Sequence, residues 1–559
     1  MNFSDFRLTL AYSVNGERRV TSSSDENIAV DCVVSDGRFT AKIAPTGKVR
    51  LISAEFSAPY AMRDDEVFFG AGYQSWTVSS EYYARDRQKG LLFPVNLFAF
   101  ARKISGASGD YSFTKYGKNI FHSHGYTYFR RGDEMEFFGS VDESRAFTVF
   151  YNDVKNGVFT ISKDVEGMDV TTECTLFDIV RYVGGYDEVF DKYAAAYVFK
   201  RKSNIPDLAG YTSWYNYFQN IDENVILRDL NGMTKIAGDR ANIFQIDDGY
   251  ESRVGDWFDV DKKKFPHGMK YIADSIHAKG YIAGLWVAPF AAEYKSRIAE
   301  EHPDWLLRDE KGKKVIGGVA WKGFYVLDTE KPEVRDYVRR VFATVFDEWG
   351  YDMVKLDFLY SACIVPRNGK SRGQLMHEAM TLLRECVGDK YLLGCGVPMT
   401  SSFGFVDACR TGCDVELSFK DRYYVRCTNQ EIISAVHAVN NTVFRRHLNK
   451  RFFLNDPDVF FLRDGGAKPA VYTMAQKKLL AKVNNMFGSV LFVSDNAAEY
   501  DAEKTAVLLE AFRPFGGKIT RAYKTSADSY RVDYELDGDK RVFEFEMKNG
   551  NYFDKKVNG

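Results

Sequence analysis

Two aspartates frame the chemistry this chain could do. Asp357 stands near the end of Met353-Val-Lys-Leu-Asp-Phe358, where Val354 and Leu356 alternate with Lys355 and Asp357. On a strand, that alternation sends Lys355 and Asp357 to one side. An ammonium beside a carboxyl keeps it ionised, as a nucleophile requires. A structural ion pair at a sheet rim has the same spacing. Asp414 closes Val406-Asp-Ala-Cys-Arg-Thr-Gly-Cys-Asp414, a short apolar start that turns into a loop at Gly412. Arg410 and Asp414 are placed there for a charge pair, and a carboxyl so held suits general acid and then general base work. Taken alone, a surface loop is the plainer reading of this segment.

A third group is Ile243-Phe-Gln-Ile-Asp-Asp-Gly249, an apolar strand ending in Asp247 and Asp248. Magnesium or calcium needs more oxygen ligands than these two supply, so hydroxyl binding is the preferred reading and no metal is expected. A fourth group is aromatic: Trp76, Trp214, Trp257 and Trp286. A tryptophan face packs on the apolar face of a pyranose, and packs equally well in a core. Other chemistries fail on spacing. Arg367-Asn-Gly-Lys-Ser371 has Ile364 where a phosphate loop needs its first glycine, and Gly394-Cys-Gly396 meets Met399 where a dinucleotide fingerprint needs its third. There is no HExxH and no GxSxG. His122 and His124 read as exposed strand residues.

These residues need a scaffold. Residues 1–200 carry short alternating runs such as Phe39-Thr-Ala-Lys-Ile43 and Ala146-Phe-Thr-Val-Phe-Tyr151 between Gly, Asn, Asp and Ser turns. They predict an N-terminal antiparallel β-sandwich. From Ile205-Pro206 strands alternate with helices. Candidate strands at 210–218, 243–248, 281–290, 324–328, 351–358, 391–397, 406–411 and 452–455 number eight. A helix over 333–349 follows Pro332, and another begins at Ser371 with Gln374 completing a capping box. Eight such units over 201–488 predict a central (β/α)8 TIM barrel, whose working residues lie at the C-terminal ends of its strands. Asp357 and Asp414 then fall on the fifth and seventh strands. Residues 489–559 predict a small C-terminal antiparallel β domain.

Composition narrows the class. Lys plus Arg number 75 and Asp plus Glu 77 in 559 residues, so the net charge of −2 speaks against a nucleic-acid partner. No 18-residue apolar window predicts a membrane span, and the first residues carry no secretory pattern. Eight cysteines without a CxxC pair predict a reduced, cytoplasmic protein.

In combination the segments resemble the α-galactosidases of glycoside hydrolase family 36. The resemblance rests on Gly72-Tyr-Gln-Ser-Trp76, Ser213-Trp-Tyr-Asn-Tyr-Phe218, Phe244-Gln-Ile-Asp-Asp-Gly-Tyr-Glu251, Gly255-Asp-Trp257, His302-Pro-Asp-Trp305, Lys355-Leu-Asp-Phe358, Leu393-Gly-Cys-Gly-Val-Pro398, Asp407-Ala-Cys-Arg410 with Asp414, and Phe453-Leu-Asn-Asp-Pro-Asp458. It implies the same three-domain order and a retaining exo-α-galactosidase that acts without a cofactor on a carbohydrate substrate. It makes Asp357 the nucleophile and Asp414 the acid/base. It gives Asp247 and Asp248 the 4- and 6-hydroxyls, and Lys355 and Arg410 ring hydroxyls. Trp76, Trp214, Trp257 and Trp286 would shape the pocket, with Cys395 and Gly396 near the 2-substituent. After Asp414 the chain reads Val-Glu-Leu-Ser-Phe, which departs from the family pattern on the leaving-group side. An α-N-acetylgalactosaminidase, a transglycosylase and a non-catalytic sugar-binding protein are the competing readings, and homo-oligomerisation is left open.

Overall fold

The computed structural model describes residues 1–92, 95, 106–201, 203–419 and 430–557. Cys427, one of the eight cysteines, lies outside them.

Alternation builds the N-terminal domain. Arg38–Pro45 buries Phe39, Ala41 and Ile43 and turns the residues between them outward. Phe56 on Val49–Pro59 comes from the opposing sheet, and its ring stacks on Phe39 at 3.8 Å. Two seven-stranded sheets face each other across this seam, as the sandwich prediction required. Truncating either ring to alanine removes about 3–5 kcal/mol.

The central sheet contains eight parallel strands: β1 (Leu208–Thr212), β2 (Ile243–Ile246), β3 (Ile282–Val287), β4 (Met353–Leu356), β5 (Tyr391–Gly394), β6 (Ala408–Arg410), β7 (Leu454–Asp456) and β8 (Val490–Val493). The sheet runs β7-β6-β5-β4-β3-β2-β1-β8, with the short strand Val459–Phe460 beside β8. Ser489 N donates to Asn455 O at 2.9 Å, joining its two ends. The apolar runs of these strands are buried on both faces, as a parallel barrel demands.

Three expectations need correction. The segment 324–328 is not a barrel strand. Phe324–Val326 is the middle of a three-stranded side sheet with Ala291–Glu293 and Ile316–Gly318, inserted between β3 and β4. The eighth barrel strand is instead Val490–Val493, so the barrel runs past residue 488, and the C-terminal antiparallel sheet begins at Lys518. A short apolar run bounded by turns fits a barrel strand or an inserted hairpin equally well, which is why the count came out right for the wrong member. Asp357 and Asp414 consequently follow the fourth and sixth strands. The run 210–218 also divides: after β1 ends at Thr212, Trp214–Tyr217 forms one helical turn.

Helix signals held better. Pro332–Ala343 forms as expected after Pro332 and buries Val334, Tyr337, Val338, Val341 and Phe342. A π-turn over Thr344–Glu348 then shifts the phase, leaving Phe346 and Trp349 half-buried. Ser371 caps the helix Arg372–Val387, with both hydrogen bonds of the box present.

Sandwich and barrel share a continuous aromatic core. His447 lies against Phe190 at 4.0 Å and bonds to Tyr126 and Tyr186 through its two ring nitrogens, at 2.8 and 2.7 Å. His122 and His124 are buried too, contrary to expectation, because both face the loop that carries Asp110.

Candidate active site

The C-terminal ends of the barrel strands bring the predicted acids together. Asp247 leaves β2 beside Lys355, whose ammonium is 2.8 Å from Asp247 Oδ2. Burial pulls that ammonium down, but the Asp247 carboxylate outweighs it and holds the group charged. Lys355 therefore pairs directly with Asp247 across the barrel. It acts on Asp357 through its charge and not as the contact partner expected from alternation. Gln245 Nε2 at 3.0 Å completes the hold on Asp247 Oδ2, and Ser213 Oγ accepts from the Asp247 amide at 2.9 Å.

Asp248 accepts from Gln219 Nε2 at 3.0 Å and from Trp321 Nε1 at 2.8 Å. Burial pushes its carboxyl up, and burial together with the Asp248 charge pushes neighbouring Glu251 well up. Sequence reasoning missed Trp321. It sits in the short turn Ala320–Lys322 that joins two strands of the inserted side sheet, at no barrel strand end. The signal available was its setting, Gly317-Gly-Val-Ala-Trp321-Lys-Gly323. Trp321 and Lys322 both hold positive φ, 53° and 66°, an uncommon backbone for residues with side chains.

Asp357 is buried just beyond β4. Its Oδ1 accepts from the Phe358 amide at 2.8 Å and its Oδ2 from Trp286 Nε1 at 3.2 Å. Burial pushes its carboxyl up, Lys355 pulls it back, and the charge of Asp414 adds to the rise. Asp414 lies in the loop after β6, its side chain 30% exposed, and ion-pairs with Arg410 at 2.8 Å. The loop expectation and the charge-pair expectation both hold. Arg410 is also bound to Asp456 at 3.3 Å and Asp458 at 2.9 Å. Three carboxylates occupy this guanidinium, so it positions acids more directly than it reaches a ring hydroxyl. Asp458 was quoted in the sequence motif without a role. Burial pushes it up to about 7 despite Arg410, and Tyr215 OH donates to it.

The tryptophans divide. Trp76 arrives from the sandwich, half-buried, with Nε1 donating to Cys395 Sγ at 3.3 Å and its ring 5.3 Å from Phe358. Gly396 has φ +57°, and a Cβ there would stand 3.0 Å from both the Trp76 ring and the Phe358 amide, so only glycine fits this close approach. Trp286 lies against Trp321 at 6.0 Å. Trp257 is only 1% exposed and sits behind Trp286 at 5.8 Å, so it backs the pocket and presents no face to a sugar. Trp214, half-buried, meets Phe218 at 5.0 Å, one residue beyond the serine that fixes Asp247.

Known proteins carry parts of this architecture. The Melibiase family profile matches residues 217–382. A 122-residue stretch is 35% identical to "Alpha-galactosidase Mel36A" of Lactobacillus acidophilus and covers 21% of this chain and 16% of that protein. The matched stretch is thus a small part of that relative's length. The structure of TtGalA, an α-galactosidase from Thermus thermophilus in complex with p-nitrophenyl α-D-galactopyranoside, superposes with a TM-score of 0.70 at 25% identity, over 90% of this chain and 98% of that one. The family 36 α-galactosidase AgaA of Geobacillus stearothermophilus shares the fold, at a TM-score of 0.63 and 11% identity over 96% of this chain and 81% of that one. In one sequence segment and in overall fold, the chain is similar to glycoside hydrolase family 36 α-galactosidases.

Proposed function

We propose that the protein is a retaining exo-α-galactosidase that removes terminal α-linked galactose from oligosaccharides or glycoconjugates. The observation that supports this reading is that two separately held carboxyls, Asp357 and Asp414, stand close enough for the Asp414 charge to raise Asp357, beside the Lys355–Asp247 and Trp321–Asp248 contacts.

Double displacement uses two carboxyls about 5–5.5 Å apart. Asp414, protonated, gives its proton to the glycosidic oxygen as that bond breaks. Asp357 attacks the anomeric carbon from the opposite face and forms a glycosyl ester. Water then loses a proton to Asp414, attacks the same carbon and releases α-galactose, and Asp357 leaves as carboxylate. The Phe358 amide and Trp286 Nε1 hold the Asp357 oxygens in place. Asp247 and Lys355 are placed for one hydroxyl, and Asp248, fixed by Gln219 and Trp321, for another.

Trp76 over Gly396 supports galactose above a 2-acetamido sugar, because that corner of the pocket is already filled by an indole edge. Seven cysteines are free thiols among the described residues, and no described helix is long and apolar enough to cross a membrane; the thiols support a reducing, cytoplasmic setting. Paired assays on p-nitrophenyl α-galactoside and its 2-acetamido analogue test the reading. Preferred turnover of the first supports it. Binding of both without turnover returns the protein to a sugar-binding role.

A further inference from the structure

We propose that Asp110, His122 and His124 form a binding site for one divalent transition-metal cation of the zinc class, in the sandwich domain and apart from the sugar pocket. His122 and His124 flank Ser123 on the strand Ile120–His124, so alternation sends both imidazoles to the same side. Asp110 reaches them from the preceding loop. Its Oδ2 is 2.7 Å from His124 Nε2 and 3.3 Å from His122 Nε2, and the three donor atoms all lie within 4.8 Å of one another. Three ligands at zinc bond lengths stand about 3.3 Å apart around a tetrahedral ion, and both Asp–His spacings lie near that. Two nitrogens and one oxygen suit zinc, cobalt or nickel and disfavour calcium and magnesium, which take oxygen.

Charge supplies an independent reason. Asp110 is 0% exposed, and its other oxygen accepts from Tyr116 OH at 2.6 Å. Among the described residues no lysine or arginine forms an ion pair with it. A second buried carboxyl, Glu431, stands close enough that burial and the Asp110 charge together push it up to about 7. Burying a carboxylate costs several kcal/mol, and a divalent ion offsets that cost. The Nδ1 atoms of both rings have no partner among the described residues, so each can carry the ring proton when Nε2 binds a metal.

The site has a structural consequence. The Tyr73 ring lies 5.2 Å from His124 and begins the segment that ends at Trp76. Tyr111, next to Asp110, donates to Glu431 at 2.9 Å, and Glu431 accepts from Thr77 at 2.7 Å. An ion at Asp110 would therefore brace the loop that presents Trp76.

The test is metal content, which is independent of whether the galactosidase reading stands. The purified full chain is stripped with chelator, reloaded with zinc, dialysed and assayed by mass spectrometry. About one zinc per chain is expected, with a rise of several degrees in Tm on reloading. Asp110→Asn and the double variant His122→Ala/His124→Ala should retain under about a tenth of that, with circular dichroism unchanged. If the variants fail to fold, cobalt loading of the wild type decides: a visible d–d band is expected. No retained zinc and no cobalt band in the wild type, or equal zinc in folded variants, overturns the proposal.

Discussion

Trp76 Nε1 donates to Cys395 Sγ across the boundary between sandwich and barrel, at 3.3 Å. The contact places an N-terminal ring over the end of β5, and Gly396 leaves it room. Removing the ring costs an aromatic contact worth about 0.5–1.5 kcal/mol. Trp76→Ala should raise KM for an aryl α-galactoside about three- to tenfold and change kcat less. Equal KM in the two proteins would remove Trp76 from the pocket.

Arg445 holds the segment that carries Trp76. It is buried and donates to the carbonyls of Gly72 at 3.3 Å, Gln74 at 3.0 Å, Ser75 at 2.5 Å and Thr77 at 2.8 Å. Arg445→Lys keeps the charge and loses the fork of donors. We expect a stability loss of about 3 kcal/mol and a rise in KM like that of Trp76→Ala. Denaturant melts and saturation kinetics measured together check this. Lost stability with unchanged KM would confine Arg445 to folding.

The two acids should fail differently. Asp357→Asn is expected to lose at least about three orders of magnitude in kcat on every substrate. Asp414→Asn should retain far more activity on p-nitrophenyl α-galactoside, whose leaving group needs little protonation, than on a natural disaccharide. Kinetics on both substrates make the comparison. A uniform loss in the Asp414 variant would argue against its acid role.

Asp357 must be ionised to attack, and burial raises its carboxyl above the ordinary aspartate range. The acidic limb of kcat/KM should therefore lie above the ordinary aspartate value of about 3.9. Trp286 Nε1 stabilises the ionised form, so Trp286→Phe should move that limb to higher pH. A shift to lower pH in the pH–rate profile would contradict the assignment.

Glu431 is buried between Thr77 and Tyr111 and raised to about 7. The folded chain thus holds a proton there that the unfolded chain releases near pH 4.3. Its contribution is complete below the unfolded value and is lost as pH rises through about 7. Glu431→Gln should flatten the fall in Tm between about pH 4.5 and 7. An unchanged slope would count against the shift.

Local signals in the sequence reached the strands, the caps and the charged ends of the strands. Ser371 and Gln374 specify a helix start by themselves, and Asp357 follows an apolar run too short to be anything but a buried strand or turn. What escaped depended on distant partners. Phe324–Val326 and Val490–Val493 have the same apolar character, and only pairing with other strands decides which joins the barrel. Lys355 turned to Asp247 and not to Asp357 because the end of β2, two strands away and invisible in local alternation, brought a carboxylate nearer. Trp321, Asp458 and Arg445 likewise gain their meaning from residues far along the chain. His122 and His124 looked solvent-facing because nothing in their own strand announces Asp110.

Proton NMR during the first minutes of hydrolysis of p-nitrophenyl α-galactoside tests the double displacement most directly. The account predicts α-galactose as the first sugar released, with the β-anomer growing only as fast as mutarotation allows. β-Galactose appearing first would mean a single displacement by water and would contradict Asp357 as the nucleophile.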